Sequence, residues 1–167
     1  MQVYQDTDVG VTIYKEPDMH KKGQVSQPDS PWDRVGYHLK RAQQALHRSM
    51  EAALSDLRLS TAQYAVLTAL ADGGAMSGAE LARRCFVTPQ TMNGIIVGLV
   101  DTGWIERRPH PAGGRVIETH ITARGRSVVQ RAHRAVESVE CRMLEGIPAE
   151  EQARFKATLQ RCTEKLG

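Results

Sequence analysis

The chain has 167 residues, of which 41% are hydrophobic and 25% charged, so it is long enough for one globular domain with a buried core. Its formal net charge of +3 is compatible with nucleic-acid binding without requiring it. The three cysteines include no CxxC pair, no apolar run approaches the ~18 residues of a membrane span, and no signal-peptide pattern is seen. These features argue against a disulfide framework, a zinc finger and a membrane partner, and they predict a cytoplasmic protein.

In chain order, residues 1–30 are predicted to be a mobile N-terminal arm, because they are polar and show no helical pattern. Residues 31–167 are predicted to form a single domain. Between residues 32 and 57 apolar side chains recur at three- and four-residue steps, which predicts an amphipathic helix. Ser60 and Gln63 have capping-box spacing and predict the start of a second helix.

The centre of the chain has the order of a winged helix-turn-helix. Ser77 and Glu80 predict the start of a short helix ending near residue 84, and Thr88-Pro89 opens the next helix. Two β-prone runs, 104–107 and 116–121, then flank a turn that contains Pro111, Gly113 and Gly114. This order places one helix in the DNA major groove and a hairpin beside it.

Two more helices are predicted at the C-terminal end. The first starts at about Thr122, and Pro148 is predicted to break it and to open the last helix, with Phe155, Leu159, Cys162 and Leu166 facing inward. So small a DNA-reading centre cannot bury the apolar stripes of all the terminal helices. A partner subunit is therefore expected.

Positive charge is concentrated in the central segment. Residues 77–126 contain seven arginines and four acidic residues, a balance of +3, whereas residues 1–31 contain three lysines and five acidic residues, a balance of −2. The polar residues at the predicted start of the second helix of the motif are Thr88, Gln90, Thr91 and Asn93. Gln and Asn can form two hydrogen bonds to adenine, and Thr can contact a phosphate or a thymine methyl group.

Four arginines complete the predicted DNA surface. Arg115 at the wing tip is expected to enter the minor groove, and Arg83, Arg84 and Arg107 are expected to contact phosphates. For each polar or basic residue of this surface, the alternative is an ordinary solvated side chain on a capped helix or turn.

A small-molecule site is predicted on the first helix. His38 and Arg41 lie three residues apart, and an aromatic acid needs a cation for its carboxylate and an apolar slot for its ring. The residues predicted to line this site are Trp32, His38, Arg41, His47 and Tyr64. The alternative is that they form ordinary interhelical hydrogen bonds and salt bridges.

Three segments together resemble the MarR family of transcriptional regulators. They are LSTAQYAVLTAL (59–70), SGAELARRCFVTPQTMNGIIVGLVDTGWIER (77–107) and ITARG (121–125), and the resemblance extends over residues 32–166. It implies a mainly α fold with a small β-hairpin wing. The winged helix-turn-helix would span about 59–121, between dimerisation helices at about 32–57 and 122–166.

The resemblance also implies a function. The family forms triangular homodimers that present one recognition helix per subunit to a pseudo-palindromic operator in double-stranded DNA. Many members are repressors released by small aromatic or phenolic acids, which bind between the dimerisation helices and the DNA-binding lobe. The chain departs from the family pattern in two places. Gly113-Gly114-Arg115 lacks the usual carboxylate that braces the wing arginine, and Gly94 and Gly98 stand where basic residues are common.

Alternative functions have less support. No nucleophile elbow, P-loop or paired carboxylates are present, so no catalytic residue, cofactor or enzymatic activity is predicted. The six histidines show no metal-ligand spacing. A winged-helix module for protein interaction, or a thiol-responsive regulator, remains open. Cys85 is expected to be a small buried residue, and the alternative is a reactive thiol whose pKa is lowered by Arg83 and Arg84. Cys141 and Cys162 are expected to be packing residues.

Overall fold

The computed structural model describes residues 30–109 and 117–167, and it has the predicted mainly α architecture with a small antiparallel sheet. The predicted arm, apart from Ser30, and the predicted turn of the wing lie outside the described residues. The α-helices and β-strands of the described ranges are α1 (Val35–Leu54), α2 (Thr61–Gly73), β1 (Met76–Ser77), α3 (Gly78–Arg84), α4 (Pro89–Asp101), β2 (Ile105–Pro109), β3 (Ile117–Ile121), α5 (Ala123–Met143) and α6 (Ala149–Leu166).

Helix starts follow local capping chemistry, as the sequence predicts. Ser60 accepts a hydrogen bond from the backbone of Gln63 at 3.2 Å, and the Gln63 side chain accepts one from the backbone of Ser60 at 3.1 Å. Ser77 and Glu80 form the same reciprocal pair at the start of α3. Each pair satisfies two backbone N–H groups that have no partner within the helix.

The end of α1 is joined to the start of α2 by a carboxylate. Glu51 accepts hydrogen bonds from the Thr61 hydroxyl at 2.6 Å and from the Thr61 backbone at 2.8 Å. These two hydrogen bonds to the ionised form hold the pKa of the Glu51 carboxyl below its usual range. Between α1 and α2, Arg58 adopts a left-handed conformation with a φ of 52°, which reverses the direction of the chain.

The sheet has three strands in the order β1-β3-β2, all antiparallel. Ile105 of β2 pairs with Ile121 of β3, as expected for the predicted hairpin. The third strand was not predicted, because β1 is only two residues long and carries no alternating pattern. Met76 and Ser77 join the sheet by pairing with the edge of β3 that lies opposite to β2.

The core lies where α2, α3, α4 and the sheet meet the middle of α5. Its largest fully buried side chains are Leu54, Leu67, Leu70, Leu81, Met92, Leu99 and Ile105. The predicted inward face of α4 is confirmed, since Met92, Ile96 and Leu99 are buried and Ile95 is half-buried. This packing leaves the N-terminal half of α4 exposed on its other side.

The start of α5 is locked against β2 by close contacts. The Thr122 hydroxyl lies 2.8 Å from the carbonyl oxygen of Gly103 and 3.1 Å from that of Trp104, and it accepts a hydrogen bond from the backbone of Gly125 at 3.1 Å. A Cβ atom on Gly125 would lie 2.1 Å from the Trp104 carbonyl oxygen. The Thr-x-x-Gly spacing at 122–125 therefore brings helix and strand together at a distance that only glycine permits.

The end of α5 differs from the prediction. This helix ends at Met143 and a turn follows, with Gly146 at a φ of 77°, so the prediction that Pro148 breaks the helix is wrong. The predicted inward face of α6 is not covered by the described chain, since α6 has no buried residue, as expected for a stripe that the single chain cannot bury. Phe155 is 51% exposed and Leu166 90% exposed.

None of the helices in the described ranges is long and apolar enough to cross a membrane. Within the same ranges, the histidine, cysteine and acidic side chains form no group of three that could hold a metal ion.

Candidate nucleic-acid interface and effector region

The N-terminal end of α4 presents two unpaired amides to solvent. Thr88 caps the helix by accepting a hydrogen bond from the backbone of Thr91 at 3.1 Å, and the two hydroxyls lie 2.9 Å apart. Gln90 and Asn93 are exposed and have no hydrogen-bond partner among the described residues. The threonine hydroxyls are thus engaged in the cap, whereas both amides are available to an external partner.

Basic side chains are exposed on the elements before and after α4 in the chain. Arg83 and Arg84 are exposed in the last turn of α3, and Arg107 is exposed on β2. Arg108 differs from them because Glu106 binds its guanidinium. The predicted wing residue Arg115 lies outside the described residues, as do His110 and the glycines before Arg115.

Three of the five predicted ligand-binding residues meet around a residue that the sequence did not single out. The Tyr37 ring lies 5.0 Å from that of Trp32 and 5.8 Å from that of His38, centroid to centroid. The Arg41 guanidinium carbon lies 5.8 Å from the centroid of the same ring. The sequence signal that could have identified Tyr37 is its i, i+4 spacing from Arg41, which places the two side chains on the same face of a helix.

The other two predicted residues lie elsewhere and form interhelical hydrogen bonds, which was the alternative for this group. His47 Nδ1 lies 3.2 Å from the Thr61 hydroxyl. The Tyr64 hydroxyl lies 2.8 Å from His133 Nδ1 and joins α2 to α5. Burial raises the pKa of Tyr64, so its hydroxyl stays protonated at neutral pH.

His38 and Arg41 also line a shallow groove on the surface of α1. Its volume is about 320 Å³, and the other residues lining it are Ala42, Gln44, Ala45 and Arg48. Every one of these residues belongs to α1. One helix cannot enclose a ligand, so the groove is open on the side opposite to α1.

The three cysteines differ in their surroundings. Burial raises the pKa of the Cys85 thiol, and the opposing effect of Arg84 is smaller, which contradicts the alternative of a reactive thiol with a lowered pKa. A raised pKa reduces the thiolate fraction and with it the reactivity towards oxidants. Cys141 and Cys162 are exposed rather than packed within the described chain.

This chain has a capped helix with free amides at its start, exposed arginines on the neighbouring elements and an antiparallel hairpin after the helix. These features define a winged helix-turn-helix protein of the DNA-binding class. A family model described as "MarR family" matches residues 58–116. The HTH-type transcriptional repressor Rv2887 of Mycobacterium tuberculosis is 38% identical over 133 residues, which are 80% of this chain and 93% of that protein. The chain belongs to the MarR family of transcriptional regulators, and its curated relatives are regulators rather than enzymes.

Comparison with solved structures shows that the three-dimensional folds are similar as well. The complex of Rv2887 with salicylic acid has a TM-score of 0.63 and 37% identity, covering 80% of this chain and 96% of that one. BpsR of Bordetella bronchiseptica, whose DNA binding is regulated by 6-hydroxynicotinic acid, has a TM-score of 0.75 and 25% identity, covering 82% and 98%. Both small molecules are aromatic acids.

Proposed function

We propose that this protein is a homodimeric repressor that binds a pseudo-palindromic operator and releases it on binding a small aromatic acid. The observation that carries the proposal is the exposed pair of amides, Gln90 and Asn93, at the start of α4. A polar side chain there can reach base edges in the major groove, while the exposed arginines of α3 and β2 meet phosphates.

The dimer is inferred from apolar surface that the single chain leaves uncovered. Val35 of α1 is 81% exposed, and Leu39, Phe155 and Leu166 are exposed as well. An 18-residue amphipathic helix with no buried residue gains little stability from its own sequence, because helical stability in proteins comes from packing. A second copy would cover α1 and α6 of the first, and an obligate interface should bury upwards of ~2,000 Å².

Base recognition is expected to depend on Gln90 and Asn93, and phosphate contact on Arg83, Arg84 and Arg107. Replacing Asn93 or Gln90 by Ala should relax preference at defined operator positions, by roughly 1–3 kcal/mol per lost bidentate contact. Replacing Arg83 by Ala should weaken binding to all sequences alike and reduce the salt dependence by about one phosphate contact. Fluorescence anisotropy on a duplex selected from a random library, with each base pair varied in turn, measures both effects.

Two further variants, at Arg115 and Arg131, test the assignment of these residues to base, phosphate and minor-groove contacts. Replacing Arg115 by Ala should reduce preference for A/T-rich flanks, since an arginine in a narrow minor groove reads shape. Arg131, which is exposed on α5, provides a matched charge control and should have little effect when replaced by Ala. Equal losses on every sequence for the Gln90, Asn93 and Arg83 variants would contradict the division into base and phosphate contacts.

The effector is placed on α1, with its carboxylate at Arg41 and its ring beside Tyr37. The groove there already contains two arginines, Arg41 and Arg48, and an adjacent aromatic face. The salicylic acid complex of Rv2887 supports an aromatic acid as the ligand class. A second subunit would supply the missing wall, so occupancy of the groove would favour one arrangement of the dimer over another.

A ligand on the dimerisation helices can affect α4 because hydrogen bonds and a close packing contact connect α5 to α2 and to the strand that follows α4. Tyr64 and His133 join α2 to α5, and Thr122 and Gly125 join α5 to the strand that follows α4. Release requires that the acid bind more tightly to a dimer whose recognition helices no longer match the half-sites, spaced ~10 bp apart.

Salicylate is therefore expected to weaken the wild-type operator complex by ~5–150-fold, the range of a typical allosteric coupling. Replacing Arg41 by Ala should abolish most of this response while leaving DNA affinity without salicylate unchanged, and Arg131→Ala should respond as wild type. Anisotropy titrations of salicylate against the preformed complex test this. A normal response in Arg41→Ala combined with its loss in Tyr64→Phe would move the acid to the α2–α5 region.

A further inference from the structure

The turn between α3 and α4 contains a phenylalanine in a conformation that favours glycine. Phe86 has a φ of 55°, in the left-handed region. Its backbone N–H donates to the Arg83 carbonyl at 3.3 Å, and the Val87 N–H donates to the Ala82 carbonyl at 3.1 Å. These two hydrogen bonds form a Schellman motif at the end of α3, and Phe86 occupies the position at which glycine is most common.

Nothing in the described chain explains a large aromatic side chain at this position. Phe86 is 95% exposed, the highest value among the exposed large apolar residues, and it is absent from the core cluster. Its neighbour Val87 is half-buried and packs against the core, so the motif has its apolar anchor without Phe86. The side chain therefore has an unfavourable backbone conformation and an unfavourable exposure, with no compensation inside the chain.

The position of the residue indicates where compensation arises. Phe86 lies two residues before Thr88, the cap of α4, and two residues after the exposed Arg84 at the end of α3. Phe86 is thus placed directly before the helix whose exposed amides, Gln90 and Asn93, are assigned to DNA, whereas the buried residues of that helix, Met92 and Ile96, belong to the core.

The geometry points to Phe86 as a DNA-contact residue that buries its ring against the apolar surface of the operator. Two parts of DNA provide such surface, the 5-methyl group of thymine in the major groove and the CH groups of deoxyribose. The inference rests on the proposed operator binding, and it adds an apolar contact to a surface otherwise composed of amides and arginines.

The test is the Phe86→Gly variant, measured on the duplex selected by wild-type protein. Operator affinity is expected to fall about ten- to a hundredfold, the loss that corresponds to exposing a buried phenylalanine ring. The midpoint of thermal unfolding is expected to stay at or above that of wild type, because glycine relieves the left-handed backbone. This opposite movement of affinity and stability is not expected of a residue with a merely structural role.

Controls separate the backbone from the ring. Arg58 is the other non-glycine residue with positive φ in the described chain, so Arg58→Gly should match the stability effect without the aromatic loss. Phe86→Trp should retain affinity, and Phe86→Asn, which also tolerates the left-handed region, should lose it. Unchanged affinity in both Phe86→Gly and Phe86→Asn overturns the inference while leaving operator binding intact, whereas a wild-type protein that selects no duplex overturns both proposals.

Deoxyuridine in place of each thymine distinguishes the two contact surfaces. If one replacement weakens wild-type binding and has no effect on Phe86→Gly, the ring contacts that methyl group. If every replacement acts equally on both proteins while Phe86→Gly remains weak, the ring contacts deoxyribose. Either result supports an apolar DNA contact.

Discussion

Replacing Phe155 by Glu is expected to convert the protein to monomers and to abolish operator binding at concentrations where wild type is bound. Phe155 lies on α6, the helix whose residues are all unburied within the chain, and it is half exposed there. In a dimer the new carboxylate would be buried without a partner, at a cost of roughly 3–5 kcal/mol for each copy. Because a homodimer has two-fold symmetry, the substitution is present in both subunits and its cost in dimer stability applies twice.

The measurement is sedimentation equilibrium together with operator anisotropy. Lys156→Glu is the matched control, because it places the same side chain on the adjacent exposed position of α6 and should leave the dimer intact. A Phe155→Glu protein that remains dimeric at micromolar concentration would show that α6 is not part of the interface. Loss of operator binding by a protein that remains dimeric would instead assign α6 a direct effect on DNA.

Replacing Gly125 by Ala is expected to destabilise the fold strongly. The added Cβ would meet the Trp104 carbonyl oxygen at 2.1 Å and an Ile121 side-chain carbon at 2.9 Å. Overpacking a well-packed site costs roughly 1–3 kcal/mol, and here the neighbour is backbone, so a loss of about 3 kcal/mol or more in the free energy of unfolding is expected. Urea unfolding at one fixed protein concentration measures it, since dimer stability depends on concentration.

Gly94→Ala is the matched control for this glycine. Gly94 also lies on a helix, but a Cβ there would meet nothing within 4 Å. Alanine should therefore stabilise α4 by up to about 1 kcal/mol through helix propensity. Equal unfolding free energies for the two variants would mean that α5 does not approach β2 as closely as described.

The Gly94→Ala protein also tests whether α4 approaches the bases closely, because an added methyl group would then weaken operator binding.

Much of this protein was predictable because its signals are local. Ser60, Ser77 and Thr88 cap helices through hydrogen bonds to residues three positions away, so their patterns can be read from short windows of sequence. The hairpin strands and the inward face of α4 were predicted for the same reason. The polar residues at the start of α4 were identified by motif order, and the structure places Gln90 and Asn93 on its exposed side.

Tertiary structure decided what depends on residues distant in sequence. Tyr64 meets His133 across α2 and α5, and β1 exists only because β3 pairs with it. Local sequence placed arginines beside Cys85, but burial in the folded chain dominates and raises the pKa of the thiol. The exposure of Phe86 and of the α6 stripe likewise follows from where the core is, since burial is a property of the packed chain and not of any sequence window.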